Sequence, residues 1–165
     1  MPIVIPPWYQ TIPPHGLDAV RHTYGDFKYA EMSGGNVRVI DGFERDNIIT
    51  LHDVAGTGLG VQLHRKVAGL FELCFKEAVR RCPGYTVRML GGYCPRHQSH
   101  IASNPLSIHS WGAAVDINWD TNPQGKPVRC DLPRPFISAF TEQGWLHGIN
   151  FSIPDPQHFQ LATGC

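Results

Sequence analysis

The sequence predicts an α+β fold, with a small, largely antiparallel sheet and helices packed on one side of it. Three observations predict it. One long segment, 61–81, carries apolar residues at helical spacing. The other apolar runs are short, strand-sized and bounded by Gly and Pro. The 165 residues allow one core and not two. The chain therefore reads as a single domain, 1–165, in which 1–15 form an irregular Pro-rich arm.

The elements follow in order. Residues 17–22 read as one or two helical turns, ended by Gly25, and 37–40 and 48–51 are strand candidates. In 61–81, Leu63, Val67, Leu70, Phe71, Cys74, Phe75 and Ala78 share one helical face. Arg80 and Arg81 suit the negative end of that helix, and Pro83-Gly84 stops it. Residues 85–90 read as a strand closed by Gly91-Gly92, followed by a polar loop over 93–108. A short buried strand is expected at 113–117, a loop at 121–126 and a short helix at 135–143 with Gly144 as its stop. The last strand, 157–161, is entered through Pro154 and Pro156.

Composition excludes several function classes. Lys plus Arg is 14 and Asp plus Glu is 14, so the net charge is zero. That argues against a nucleic-acid partner and against a polybasic membrane anchor. No apolar run reaches the roughly 18 residues of a membrane span. Residues 1–10 lack the basic start and long apolar stretch of a signal peptide, so synthesis in the cytoplasm is expected. Cys74, Cys82, Cys94, Cys130 and Cys165 are odd in number and form no CxxC pair, so free thiols are expected. Gly56-x-Gly58-x-Gly60 lacks the lysine of a phosphate loop and reads as plain loop, and no Gly-x-Ser-x-Gly elbow is present.

Most of the nine histidines need no special role. His109 and Asp116 stand out. Asp116 interrupts an apolar strand, where a carboxylate is costly unless paired, hydrogen-bonded or bound to metal. Seven residues along an unbroken strand would turn His109 and Asp116 to opposite faces, and Gly112 offers the turn that brings them together. The alternative is a buried Asp116 held by backbone hydrogen bonds and a surface His109. His158, opening the last strand, is a candidate third ligand. Two histidines, one carboxylate and an open position suit a catalytic zinc. Asp155, three residues earlier, is then a candidate base, or else a turn acid.

Ser107-x-His109, Gly112, Ala114 and Asp116, followed by Asp155-x-x-His158, resemble the zinc D-alanyl-D-alanine carboxypeptidases. That family includes VanY-like enzymes and the L-alanyl-D-glutamate endopeptidases of phage endolysins. The resemblance runs from about residue 91 to 161 and extends more loosely back to 61. It implies His109, Asp116 and His158 as ligands of one Zn2+ and Asp155 as catalytic base. It implies Arg96, in Gly92-Tyr93-Cys94-Pro95-Arg96, as the arginine for an oxyanion or a substrate carboxylate, with Arg88 as the fallback. Gln98, Ser107, Trp111 and His147 are candidate substrate contacts. The implied substrate is a peptidoglycan stem peptide, cut at D-Ala-D-Ala or at L-Ala-D-Glu. A phage-type lysin would reach the wall through a holin or as part of a virion, with phage structural partners. The alternatives are an inactive zinc-containing module of a phage particle and a zinc hydrolase of another amide. The chain departs from the family in Asp at the base position and in Gln157 and Gln160 around His158, where relatives often have Met or Pro and Glu.

Overall fold

The structure, a computed structural model, describes residues 12–165. Residues 1–11, most of the expected Pro-rich arm, lie outside them. The elements are α1 (Leu17–Tyr24), β1 (Tyr29–Glu31), β2 (Val37–Val39), α2 (Phe43–Asn47), β3 (Ile48–Leu51), β4 (Val61–His64), α3 (Arg65–Arg81), β5 (Leu90–Gly91), β6 (Ala114–Ile117), α4 (Arg134–Thr141), β7 (Leu146–His147) and β8 (His158–Gln160). Hairpins β1–β2 and β3–β4 flank a four-stranded antiparallel sheet in the order β5-β6-β8-β7. The fold is α+β.

Helix α3 is the backbone of the core. Val67, Leu70, Phe71, Cys74, Phe75 and Ala78 are fully buried along its inner face. Phe75 meets Phe136 of α4 edge-on, and Phe71 meets Phe140 at 6.0 Å between ring centroids. Phe140 in turn lies 4.8 Å from Phe159 of β8. Burying each such ring contributes roughly 1.5–3 kcal/mol. Period-2 alternation then fixes what the sheet presents on each face. Phe159 turns to the helices, so its neighbours His158 and Gln160 turn the other way. Val115, the ladder partner of Phe159, is likewise fully buried. The sheet is thus anchored by its apolar face and carries polar groups on the opposite one.

Two expected elements differ. The predicted helix 61–81 begins only at Arg65, because Val61–His64 pairs antiparallel with Ile48–Leu51 as a strand. Val61 and Leu63 are buried and Gln62 is exposed, a period of two that Leu63 alone disguised as helical. His64 joins the strand to the helix: its Nδ1 accepts the Lys66 N–H at 3.1 Å and its Nε2–H donates to the Tyr24 carbonyl at 2.8 Å. The predicted strand 85–90 shrinks to Leu90–Gly91. Ahead of it, the Asn118 side-chain oxygen accepts the N–H groups of Arg88 and Met89, substituting for a strand partner. All five cysteines are free. Among the described residues, no helix is long and apolar enough to cross a membrane.

Candidate metal centre and cleft

The site is built on the polar face of the sheet. Asp116 on β6 and His158 on β8 are direct cross-strand partners, so their side chains rise side by side. His109 arrives from the single 3-10 turn Ile108–Trp111 just before β6. Ser107 Oγ accepts the His109 N–H at 3.3 Å and starts that turn. Gly112 ends it with φ 66, a left-handed conformation, and a Cβ there would lie 2.6 Å from the His64 nitrogen. Glycine is the residue that lets the chain turn tightly against β4 and aim His109 at Asp116.

The ligand atoms of His109, Asp116 and His158 all lie within 4.8 Å of one another. His158 Nδ1 is 3.0 Å from Asp116 Oδ1, and His109 Nε2 is 3.2 Å from Asp116 Oδ2. The two ring nitrogens are 3.1 Å apart. The outer nitrogens decide the protonation pattern. His109 Nδ1 sits 2.7 Å from the Gly92 carbonyl, which only accepts, so that nitrogen carries the proton. His158 Nε2 sits 2.9 Å from Gln160 Oε1 and donates to it. In the neutral imidazoles, then, two bare nitrogens and a carboxylate converge with no donor among them, and only a cation satisfies all three. Two nitrogens and a carboxylate oxygen form a donor set suited to zinc.

Electrostatics agree. Burial alone would raise the Asp116 carboxyl, but His109 and His158 outweigh it and hold it well below the usual carboxylate range. Burial opposes charge on His158, yet the Asp116 carboxylate prevails and moves its pKa up. Without a metal, a proton is the cation this cluster attracts.

Asp116 and His158 face a cleft of about 640 Å³. Asp155, Arg96, Gln98 and Ser107 line it too, with Phe151 and Ile153 as an apolar rim. Asp155 sits in the turn before β8, where its carbonyl accepts the His158 N–H at 3.1 Å. Gln124 donates to Asp155 Oδ2 at 3.2 Å. Asp155 Oδ1 is buried and receives no well-formed hydrogen bond. Burial pushes the Asp155 carboxyl up; His158 opposes this and the Asp116 charge adds to it. Such a carboxylate is primed to accept a proton.

Arg96 makes no ion pair among the described residues, and its backbone is tied down by Ser110 and Ser107. The fallback Arg88 is committed to Asp120 at 3.0 Å and is not among the cleft-lining residues. Trp111 and His147 do not line the cleft either. Trp111 is fully buried against Phe27 and donates its Nε1–H to the Gly25 carbonyl, so it is a core residue. His147 stacks on Phe159 at 4.5 Å, and its Nε2–H donates to the Pro156 carbonyl. It braces the turn beneath the cleft, and burial lowers its pKa.

Residues 101–161 match the family model described as D-alanyl-D-alanine carboxypeptidase. No curated protein and no solved structure gives a significant match. The matched segment contains His109, Asp116, Asp155 and His158, while Arg96 and Gln98 fall just before it. Two contributors within it escape a reading of single motifs. Gly148 accepts the Asp155 N–H on its carbonyl, and a Cβ there would lie 2.5 Å from the Asp155 backbone carbonyl oxygen. Gln160 holds His158 from behind. Its visible signal is a polar residue between Phe159 and Leu161, on the same strand face as His158.

Proposed function

We propose that the chain is a zinc-dependent peptidase that hydrolyses an amide bond in peptidoglycan stem peptides. The observation that carries this reading is the convergence of His109 Nε2, His158 Nδ1 and the Asp116 carboxylate, two of whose residues, Asp116 and His158, line the same cleft as Asp155 and Arg96. His109, Asp116 and His158 would hold the ion. Bound there, zinc would supply Lewis acidity, acidifying water and polarising the scissile carbonyl.

The chain's own groups do the rest. The Asp155 carboxylate accepts the proton of the attacking water, then delivers it to the leaving nitrogen. Its raised affinity for a proton favours the first transfer. Gln124 holds Oδ2, so the carboxylate keeps one orientation. Among the described residues the Arg96 guanidinium has no carboxylate partner, and it can pair with a substrate carboxylate or a developing oxyanion. Gln98 adds a polar contact along the same wall. Ser107, by capping the His109 turn, keeps that imidazole in place.

Within this reading the chain works as a phage-type lysin, an assignment that rests on the resemblance of its motifs to the endolysin endopeptidases. The test is mass-spectrometric analysis of products from purified stem peptides, with and without a chelator. Chelator-sensitive cleavage supports the reading, and the product masses name the bond as D-Ala-D-Ala or L-Ala-D-Glu. No cleavage by protein carrying one zinc would favour an inert metal-binding module instead.

A further inference from the structure

Gln160 is 3% exposed, and both ends of its amide are used. Its Nε2–H donates to the Ala162 carbonyl at 3.0 Å, which leaves Oε1 facing His158 Nε2 at 2.9 Å. The Ala162 carbonyl can only accept, so the amide has one sensible orientation. Oε1 in turn can only accept, so His158 Nε2 must carry the proton. A carboxylate at 160 would face the Ala162 carbonyl with no proton to give. An amide is the group that satisfies both neighbours.

We propose that Gln160 is a positioning residue for the metal: it fixes His158 in the tautomer that leaves Nδ1 bare and aimed at the ion. The proposal deepens the metal-site reading and rests on it. The competing state is clear from the geometry. With its proton on Nδ1 instead, His158 would donate to Asp116 Oδ1, already 3.0 Å away, and would be lost as a ligand through that nitrogen. His109 has a backbone carbonyl, that of Gly92, as its fixed acceptor, whereas His158 depends on a side chain. The tautomer of His158 is therefore the one that a single substitution can change.

The test is zinc affinity, measured by competition with a chromogenic chelator. Gln160→Met conserves volume and removes the acceptor, and zinc should bind about 10- to 100-fold more weakly. Gln160→Glu restores an acceptor and should recover most of that loss. Imidazole nitrogen NMR on the zinc-free wild type, at a pH where His158 is neutral, should find its proton on Nε2. Zinc binding by Gln160→Met within twofold of wild type would overturn the proposal. So would a wild-type His158 protonated on Nδ1, a result that stands even if the Met variant fails to fold. Wild-type protein that takes up no zinc would sink the metal-site reading as well, so the two failures are distinguishable.

Discussion

Asp116 and His158 face each other as partners across the β6–β8 ladder, with Oδ1 and Nδ1 3.0 Å apart. Two candidate ligands are thus placed side by side by strand register alone. A slip of one residue would send His158 into the helical core and Phe159 into the cleft. The aromatic contact between Phe159 and Phe140 therefore guards the candidate metal site as well as the core.

Removing a ligand should remove the metal. His109→Ala should reduce zinc from one per chain to near zero by elemental analysis. The thermal midpoint in zinc should fall to that of chelated wild type, because metal bound only by the folded state stabilises it. Full zinc occupancy in this variant would exclude His109 as a ligand.

Asp155→Asn should keep zinc and the fold but cost roughly 100-fold or more in kcat, the scale of lost acid–base catalysis. The variant also relieves a buried carboxylate, so its thermal midpoint should not fall. Near-wild-type turnover would move the proton transfer elsewhere.

Arg96→Ala should slow cleavage without lowering zinc content, whereas Arg88→Ala should leave the rate near wild type, because Arg88 is paired with Asp120. Steady-state kinetics on one stem peptide separates them. Equal losses in both variants would contradict the assignment.

Gly148→Ala tests the turn under the cleft. The added Cβ would meet the Asp155 backbone carbonyl oxygen at 2.5 Å and lie 3.2 Å from the Cβ atoms of Asp155 and His158. Overpacking of this kind costs about 1–3 kcal/mol. Chemical denaturation should show that loss, together with reduced turnover. A variant as stable and active as wild type would show that the turn yields freely.

Acid should destabilise the fold through His64. This residue is fully buried, and burial drives its pKa down to about 4. Between about pH 6.5 and 4 the unfolded chain takes up a proton that the folded one refuses. Stability is therefore complete above pH 6.5 and declines on acidification toward pH 4, by on the order of 3 kcal/mol. Protonation would also remove the acceptor for the Lys66 N–H at the start of α3. Against wild type, His64→Gln should show a flatter stability profile over this window, measured by denaturant unfolding in chelator. Parallel profiles would exclude His64 as the source.

Much of the site is legible in the sequence because its chemistry is locally anomalous. Asp116 in an apolar strand, a glycine between it and His109, and His158 opening a second strand are each odd on their own. What reads poorly depends on which neighbour a face meets. Trp111 and His147 lie close to the motif in sequence, yet one points into the core and the other lies against Phe159. Val61–His64 looks helical because Leu63 fits both periods, and only pairing with β3 decides for the strand. The strand expected at 85–90 fails because a distant side chain, Asn118, takes its hydrogen bonds. Gly148 is needed for a contact with Asp155 that no spacing rule reveals.

The most direct test of the metal centre is anomalous diffraction at the zinc edge from crystals grown with zinc. The account predicts one strong peak per chain, enclosed by His109 Nε2, His158 Nδ1 and the Asp116 carboxylate, beside Asp155. A peak held by other residues, or no peak in crystals of protein that contains zinc, would contradict it.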